Sequence, residues 1–418
     1  MPRPLPSLLF GLLLLPAASL PAQDWPQFRG PKSDGVVTAP DIPTRWSKTE
    51  NVAWHVDLPG KGWSSPVLSG GRLYLTTAVA PGTDQNAAGP RSLRTLALDA
   101  ATGKTLWDTE IFTESANTPA IHQKNSHASP TPILADGRIY VHFGHEGTAC
   151  LDLDGKKIWD QRSLTYPPVH GGGASPLLVD GLVIFPCDGA DGPFLAALKA
   201  TDGSIAWRTP RGGNASRKFS FCTPALIEWE GHKQVVSPFS DAIAAYNPAD
   251  GKEIWRVRYD GYSVIGQPAF GHGLIFFTTS YDAPVTYAVR PGGTGDVTAT
   301  HVAWTQDKRA PNTPSILLHG KELYQVADNG IASCLDAASG KIHWQERTAR
   351  TTSASPLLVG DTIYILDEYG TTTFLKTGLT FTKTGENKLE GERTLATPVP
   401  APGALYIRTE TGLYKIGK

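Results

Sequence analysis

ALDAATGKTLW (residues 97–107) decides the fold, because it recurs along the chain. Its copies are LDLDGKKIW ending at Trp159, ALKATDGSIAW at Trp207, AYNPADGKEIW at Trp255 and CLDAASGKIHW at Trp344, with a shortened THVAW at Trp304. Glycine stands four residues before the tryptophan in five of them, at Gly103, Gly155, Gly203, Gly251 and Gly340. A short apolar run, a TG or DG turn and a second run carrying Trp read as a tight hairpin. The glycine supplies the positive φ that the turn requires.

A second anchor precedes each hairpin. A proline, preceded by a small or polar residue, opens an apolar run, a turn such as SGG, ADG or VDG, and another apolar run. It occurs at Pro66, Pro132, Pro176, Pro224, Pro268, Pro314, Pro356 and Pro398. One unit is then a meander of four strands, A to D, with proline at the start of A, where a missing N–H is tolerated. A lone sheet of this kind leaves both faces exposed. Repetition at ~40–45 residues with four strands each therefore predicts propeller blades stacked face to face. The expected fold is all-β, an eight-bladed β-propeller of four-stranded antiparallel blades. Seven blades would require leaving out one proline unit.

The two ends of the chain complete each other. The eighth unit, from Leu395 onward, stops after its third strand, at GLYKIG. Near the N-terminus, ENVAWHVDLP offers a fourth strand with Trp54. An N-terminal strand completing the C-terminal blade would zip the ring shut and remove its open edges. The seventh unit is degenerate, with Phe381 near the expected Trp position.

Composition agrees with this plan. Gly 43 and Pro 34 together approach about 18% of the chain, above the ordinary share of about 12%. Charged residues are 18%, and the formal net charge is −1. No basic excess exists to neutralise phosphates, so nucleic acid is not an expected partner, nor is an anionic membrane surface. Residues 1–22 read as a signal peptide: Arg3, then LLFGLLLL (residues 8–15), then Pro16 and a cleavage point after Ala22. No later stretch is long and apolar enough to span a bilayer. The expectation is a single β-propeller domain over 23–418, exported to the periplasm or outside the cell, and monomeric.

The repeats resemble the tryptophan-docking motif of the PQQ-binding-like (quinoprotein-like) β-propeller family. Ala97, Gly103 and Trp107, and again Ala245, Gly251 and Trp255, match its pattern. DWPQFRGPKSDGV (residues 24–36) looks like the opening of an exported, non-dehydrogenase subgroup. The resemblance implies either of two activities. Quinoprotein dehydrogenases of the family hold PQQ and Ca²⁺ in the funnel against a vicinal Cys–Cys disulfide, and no adjacent cysteines occur here. The family's outer-membrane assembly lipoprotein is a binding scaffold without chemistry, and this chain shows no lipid-anchoring Cys after its leader. A scaffold for an unknown protein, glycan or small-molecule ligand at the funnel face is the preferred reading, with a PQQ-dependent oxidoreductase as the alternative.

In a propeller the D–A and B–C loops share one face, and loops on a rigid frame carry function. Those loops place His127, His145, Glu146 and His170 towards one sector, with His122 in the same long loop as His127. His127, His145 and His170 are metal candidates, although their spacing matches no standard motif. Acidic residues recur in the B–C turns: Asp188, Asp241, Asp282, Asp328, Asp367 and Glu368. Arg217 stands among basic residues of the facing D–A loops. Of four cysteines, Cys187 and Cys222 fall at strand ends on the same face of neighbouring blades, which makes them the candidate pair for a disulfide in an oxidising compartment. Cys150 and Cys334 share one C-strand position in opposite blades and read as buried core. PGGTGDV (residues 291–297) falls in an extended C–D connection, and Asn214-Ala215-Ser216 is a glycosylation-type sequon.

Overall fold

Each repeat folds as an antiparallel meander, and the computed structural model closes eight of them into a ring. It describes residues 24–37, 41–82, 89–115, 118, 121–213 and 215–417. The leader at 1–22 and Asn214 of the sequon lie outside the described residues. Blade 1 shows the pattern: A at Val67–Ser69, B at Arg72–Val79, C at Ser92–Asp99 and D at Thr105–Thr113. Blades 2 to 7 follow at 133–161, 177–210, 225–258, 269–306, 317–347 and 357–388. Blade 8 joins Val399–Ala401, Ala404–Arg408 and Gly412–Gly417 to Val52–Asp57, the N-terminal strand, which pairs antiparallel with the last strand of the chain. Among the described residues no helix is long and apolar enough to cross a membrane.

Strands B and C are covered by blades on both faces, so they are apolar without alternation, as in LVIFPC (Leu182–Cys187). Strand D is outermost and alternates, as in KIWDQ (Lys157–Gln161), where only Trp159 is buried. Each tryptophan docks on the next blade. A Cβ added to Gly103, Gly155, Gly203, Gly251 or Gly340 would lie 2.4–2.8 Å from the indole of the preceding blade. The indole N–H then donates to a carbonyl just beyond: Trp107 to Leu153, Trp159 to Ala200, Trp207 to Pro248, Trp304 to Ala337 and Trp344 to Gly378. The glycines are required for hairpin geometry and for this approach at once.

Three repeat positions differ from the sequence reading. Proline stands immediately before strand A rather than within it, and in blade 6 that place belongs to Ile316, with Pro314 two residues upstream. In blade 7 the register puts Gly385, not Phe381, at the tryptophan position opposite Phe374. Trp46 from the N-terminal segment packs edge-on against Phe374 with ring centroids 5.4 Å apart, filling the core that the missing indole leaves. In blade 5 the long C–D connection sends Gly295–Asp296 alongside strand D of blade 4 as a parallel fifth strand. With no glycine hairpin to meet, Trp255 donates instead to Gln234 of its own blade.

Around the channel the residues two positions before strand A tie neighbouring blades by hydrogen bonds along two arcs. Ser65 N–H donates to the Thr131 hydroxyl, Thr131 to Ser175, and Ser175 to Thr223. On the far side Gln267 N–H donates to Ser315, Ser315 to Ser355, and Ser355 to Thr397. That polar residue, which precedes the proline in every blade but the sixth, where Ser315 follows Pro314, is thus a blade-to-blade tie. DWPQFRGPKSDGV crosses the A–B turn end of the channel. Trp25 exchanges backbone hydrogen bonds with Leu68 of blade 1, and Pro26 O accepts from Leu134 N of blade 2. Phe28 lines the channel, Arg29 donates to Ile316 O of blade 6, and Val36–Val37 pairs parallel to strand A of blade 7.

Cys187 and Cys222 are both buried free thiols, so the candidate disulfide is absent. Cys187 faces the core between blades 2 and 3, and Cys222 that between blades 4 and 5, where its thiol donates to Gly266 O at 3.1 Å. The side chains of neighbouring blades point into different interfaces although their strand ends share a face. Cys150 and Cys334 are buried core, each opposite a docking tryptophan.

His142, on strand B of blade 2, is buried beside Phe185 and bonded to the Thr148 hydroxyl at 2.9 Å. Burial, and secondarily the charge of His145, push its imidazole down to about 3. The unfolded chain takes up that proton below pH ~6.5, while the folded chain stays neutral down to about 3. This contribution to stability is whole above pH ~6.5 and falls on acidification by up to about 1.4 kcal/mol per pH unit. Urea unfolding at pH 7 and pH ~4.5 should show the loss, and His142→Phe should reduce it. An identical pH dependence in that variant would refute the assignment.

Candidate functional site

The D–A and B–C loops gather at the end of the ring opposite the N-terminal crossing. The long D–A loop between blades 1 and 2 lies over the channel mouth. Trp63 N–H donates to Ser126 Oγ beneath it. Asn125 Nδ2 donates to His170 O at 2.8 Å and Gly172 O at 3.2 Å, tying the loop to blade 3. Lys124 pairs with Glu368 of blade 7 at 2.8 Å, and Arg393 before blade 8 donates to Gln123 O. The loop divides the funnel. A cavity of about 700 Å³ opens over blades 3 to 6, and one of about 580 Å³ opens over blades 7 and 8.

The larger cavity has an aromatic wall. His122, His170, Phe219, Tyr262 and Tyr281 follow one another, with successive ring centroids 5.6, 5.4, 5.7 and 6.5 Å apart. Phe221 backs Phe219 at 5.9 Å. Arg217 lies over the Tyr262 face and bonds its hydroxyl, which donates to Asp282 at 2.7 Å. Asp328 accepts from the Asn312 and Thr313 N–H groups and from the Thr313 hydroxyl. Burial lowers the His122 pKa, and the charges of His170 and Lys124 lower it further.

Of the residues singled out in the sequence, His170, Arg217, Asp282 and Asp328 line this cavity. Glu368 borders the second one, held by Lys124 and the Ser353 hydroxyl. The rest are engaged elsewhere. His127 turns away to Glu114 at 2.6 Å, and buried Glu114 also faces Arg91. His145 lies 3.4 Å from Glu146, which Arg162 holds at 2.8 Å. Asp188 is fully buried against Arg211 at 2.7 Å, where burial pushes its carboxyl up against the pull of the guanidinium. Asp241 occupies a tight turn at φ 65°, and Asp367 accepts the Tyr369 and Thr371 N–H groups. His127, His145 and His170 therefore do not converge. Among the described residues no three His, Cys, Asp or Glu side chains are grouped to hold a metal.

Sequence reasoning missed the aromatic wall. Phe219 and Phe221 in RKFSFCTP, and Tyr262 in DGYSVIGQP, stand a few residues before a proline anchor, where the loop enters the channel mouth. That placement was the available signal.

A family model described as outer membrane protein assembly factor BamB matches residues 33–236, 196–319 and 240–398. The quinohemoprotein alcohol dehydrogenase ADH IIB of Pseudomonas putida is 26% identical over 330 residues, covering 72% of this chain and 44% of that protein. The outer membrane protein assembly factor BamB of Shewanella oneidensis is 26% identical over 199 residues, covering 43% of this chain and 45% of that protein. The chain thus spans less than half the length of these curated relatives. A europium-containing methanol dehydrogenase superposes with TM-score 0.61 at 11% identity, over 93% of this chain and 90% of the other, which is a likeness of fold.

Proposed function

Because this chain belongs to the PQQ-like β-propeller repeat family whose model is described as outer membrane protein assembly factor BamB, we propose that it is an exported binding scaffold. In this reading residues 23–418 form one propeller domain, monomeric, with a leader at 1–22. A ligand or protein partner sits at the funnel face. The observation that carries it is the state of the polar groups there. Arg217 and Asp282 engage each other through Tyr262, Lys124 holds Glu368, and Asp328 is spent on backbone N–H groups. A general base or nucleophile needs a partner set within hydrogen-bond reach and left free to exchange a proton. These groups instead stiffen a recess, as a recognition surface requires, and among the described residues neither the His122 nor the His170 ring is hydrogen-bonded to a hydroxyl, thiol or carboxylate that would make a nucleophile–base pair.

The likeness to a quinohemoprotein alcohol dehydrogenase favours a second reading, PQQ-dependent oxidation. The residues present do not fit PQQ with Ca²⁺. PQQ carries several carboxylates, and both cations of the larger cavity already face carboxylates. No adjacent cysteines occur in the chain. Calcium needs six to eight oxygen ligands, and the cavity's two carboxylates, Asp282 and Asp328, are committed to other partners. Incubation of the full chain with PQQ and Ca²⁺, followed by dye reduction with alcohols and sugars, should give no turnover above the untreated protein. PQQ-dependent turnover would overturn the scaffold reading.

A further inference from the structure

We infer that the larger funnel cavity is a carbohydrate site, and that its ligand is a short, neutral oligosaccharide. This rests on the scaffold reading and names its ligand. The first observation is charge. The four charged side chains on the wall, Lys124, Arg217, Asp282 and Asp328, sum to zero, and each has a partner on the protein. An anionic or cationic ligand would have to break one of these interactions to gain its own.

The second observation is what remains unspent. Among the described residues, neither ring nitrogen of His170 has a hydrogen-bond partner, nor has the Tyr281 hydroxyl. Of the His122 ring, Nδ1 accepts the Lys124 N–H, leaving Nε2. The ring nitrogens of His170, Nε2 of His122 and the Tyr281 hydroxyl can each meet a ligand hydroxyl.

The third is shape. The rings of Phe219, Tyr262 and Tyr281 form a curved wall from blade 4 to blade 5, with Tyr281 47% exposed. Aromatic faces take the C–H faces of pyranose rings, and the polar groups at their margins take the hydroxyls. A volume of about 700 Å³ lies within the usual small-ligand range of about 300–1,000 Å³. Unpaired hydrogen-bonding groups beside an aromatic wall suit a polyhydroxylated ligand better than a charged cofactor.

The test is calorimetric titration of the full chain with maltotriose, cellotriose, xylotriose and triacetylchitotriose. At least one should bind. Tyr281→Ala and Phe219→Ala should each weaken it about ten-fold or more. Leu379→Ala, at an exposed apolar residue of blade 7, should leave it unchanged. Tyr281 is half exposed, so its variant should keep the wild-type unfolding midpoint. Binding should be equal in about 0.05 M and about 0.5 M salt, because no ion pair with the ligand is formed. Silence of all four sugars at millimolar concentration would overturn the inference. So would tighter binding of galacturonate oligomers, or of a tyrosine-bearing peptide. PQQ-dependent turnover would instead strike the scaffold reading, so the two failures are distinct.

Discussion

Trp207→Ala should lower the stability of the ring by about 3–5 kcal/mol, the usual cost of deleting a large buried aromatic. The indole sits between blades 3 and 4, over Gly251, whose α-carbon lies so near that an added Cβ would be 2.4 Å from the ring. Its N–H donates to Pro248 O at 2.9 Å, and neighbouring Thr209 donates to Gly251 O at 2.7 Å. Truncation opens a cavity and leaves the Pro248 carbonyl without its donor. Domains have about 5–15 kcal/mol in total, so one docking contact is a large fraction. The measurement is the urea midpoint, with Leu106→Ala, at an exposed residue of blade 1, as a control expected within about 0.5 kcal/mol. Gly251→Ala should shift the midpoint in the same direction, since that residue has φ 70° besides the steric conflict. A wild-type midpoint in Trp207→Ala would refute the docking account.

Removal of every residue before Leu58 should have a larger effect still. It takes away strand Val52–Asp57 and exposes the full edge of Gly412–Gly417. It also removes Trp54, which covers Gly103 of blade 1, and Trp46, which fills the core of blade 7. With them goes the crossing segment, where buried Arg29 reaches Ile316 O at 2.7 Å. An open strand edge pairs with whatever edge it meets, so the shortened chain should form oligomers or aggregates. Size-exclusion chromatography with far-ultraviolet circular dichroism reads the outcome. A monomer with wild-type thermal unfolding would show that the ring closes without its N-terminal strand.

Much of this architecture was legible in the chain. ALDAATGKTLW and its copies located the docking tryptophans of blades 1 to 4 and 6, because a Gly-containing hairpin and a large ring at fixed spacing leave few alternatives. The closure of blade 8 followed from an unmatched strand at each end. Less of the site was legible. His170, Arg217, Asp282 and Asp328 line the larger cavity of the funnel face where the sequence reading put them, since loop position alone decides which face a residue joins. His127 and Asp188 do not line it, because their side chains turn from the funnel to Glu114 and Arg211. Glu114 and Arg211, which hold them, are distant enough in sequence that no local pattern signals the pairing. The Cys187–Cys222 pairing failed for the same reason.

The sequence by itself determined the period, the number of blades and the tie between the chain ends. Those depend on local hairpin geometry and on counting, and local geometry is encoded residue by residue. Tertiary structure alone decided which polar groups are consumed by the fold and which face the cavity. It also decided that aromatic rings from separate blades meet there, and that Trp46 replaces the indole absent from blade 7. Those outcomes depend on side-chain direction across blade interfaces, where residues far apart in sequence compete for the same volume and the same hydrogen bonds.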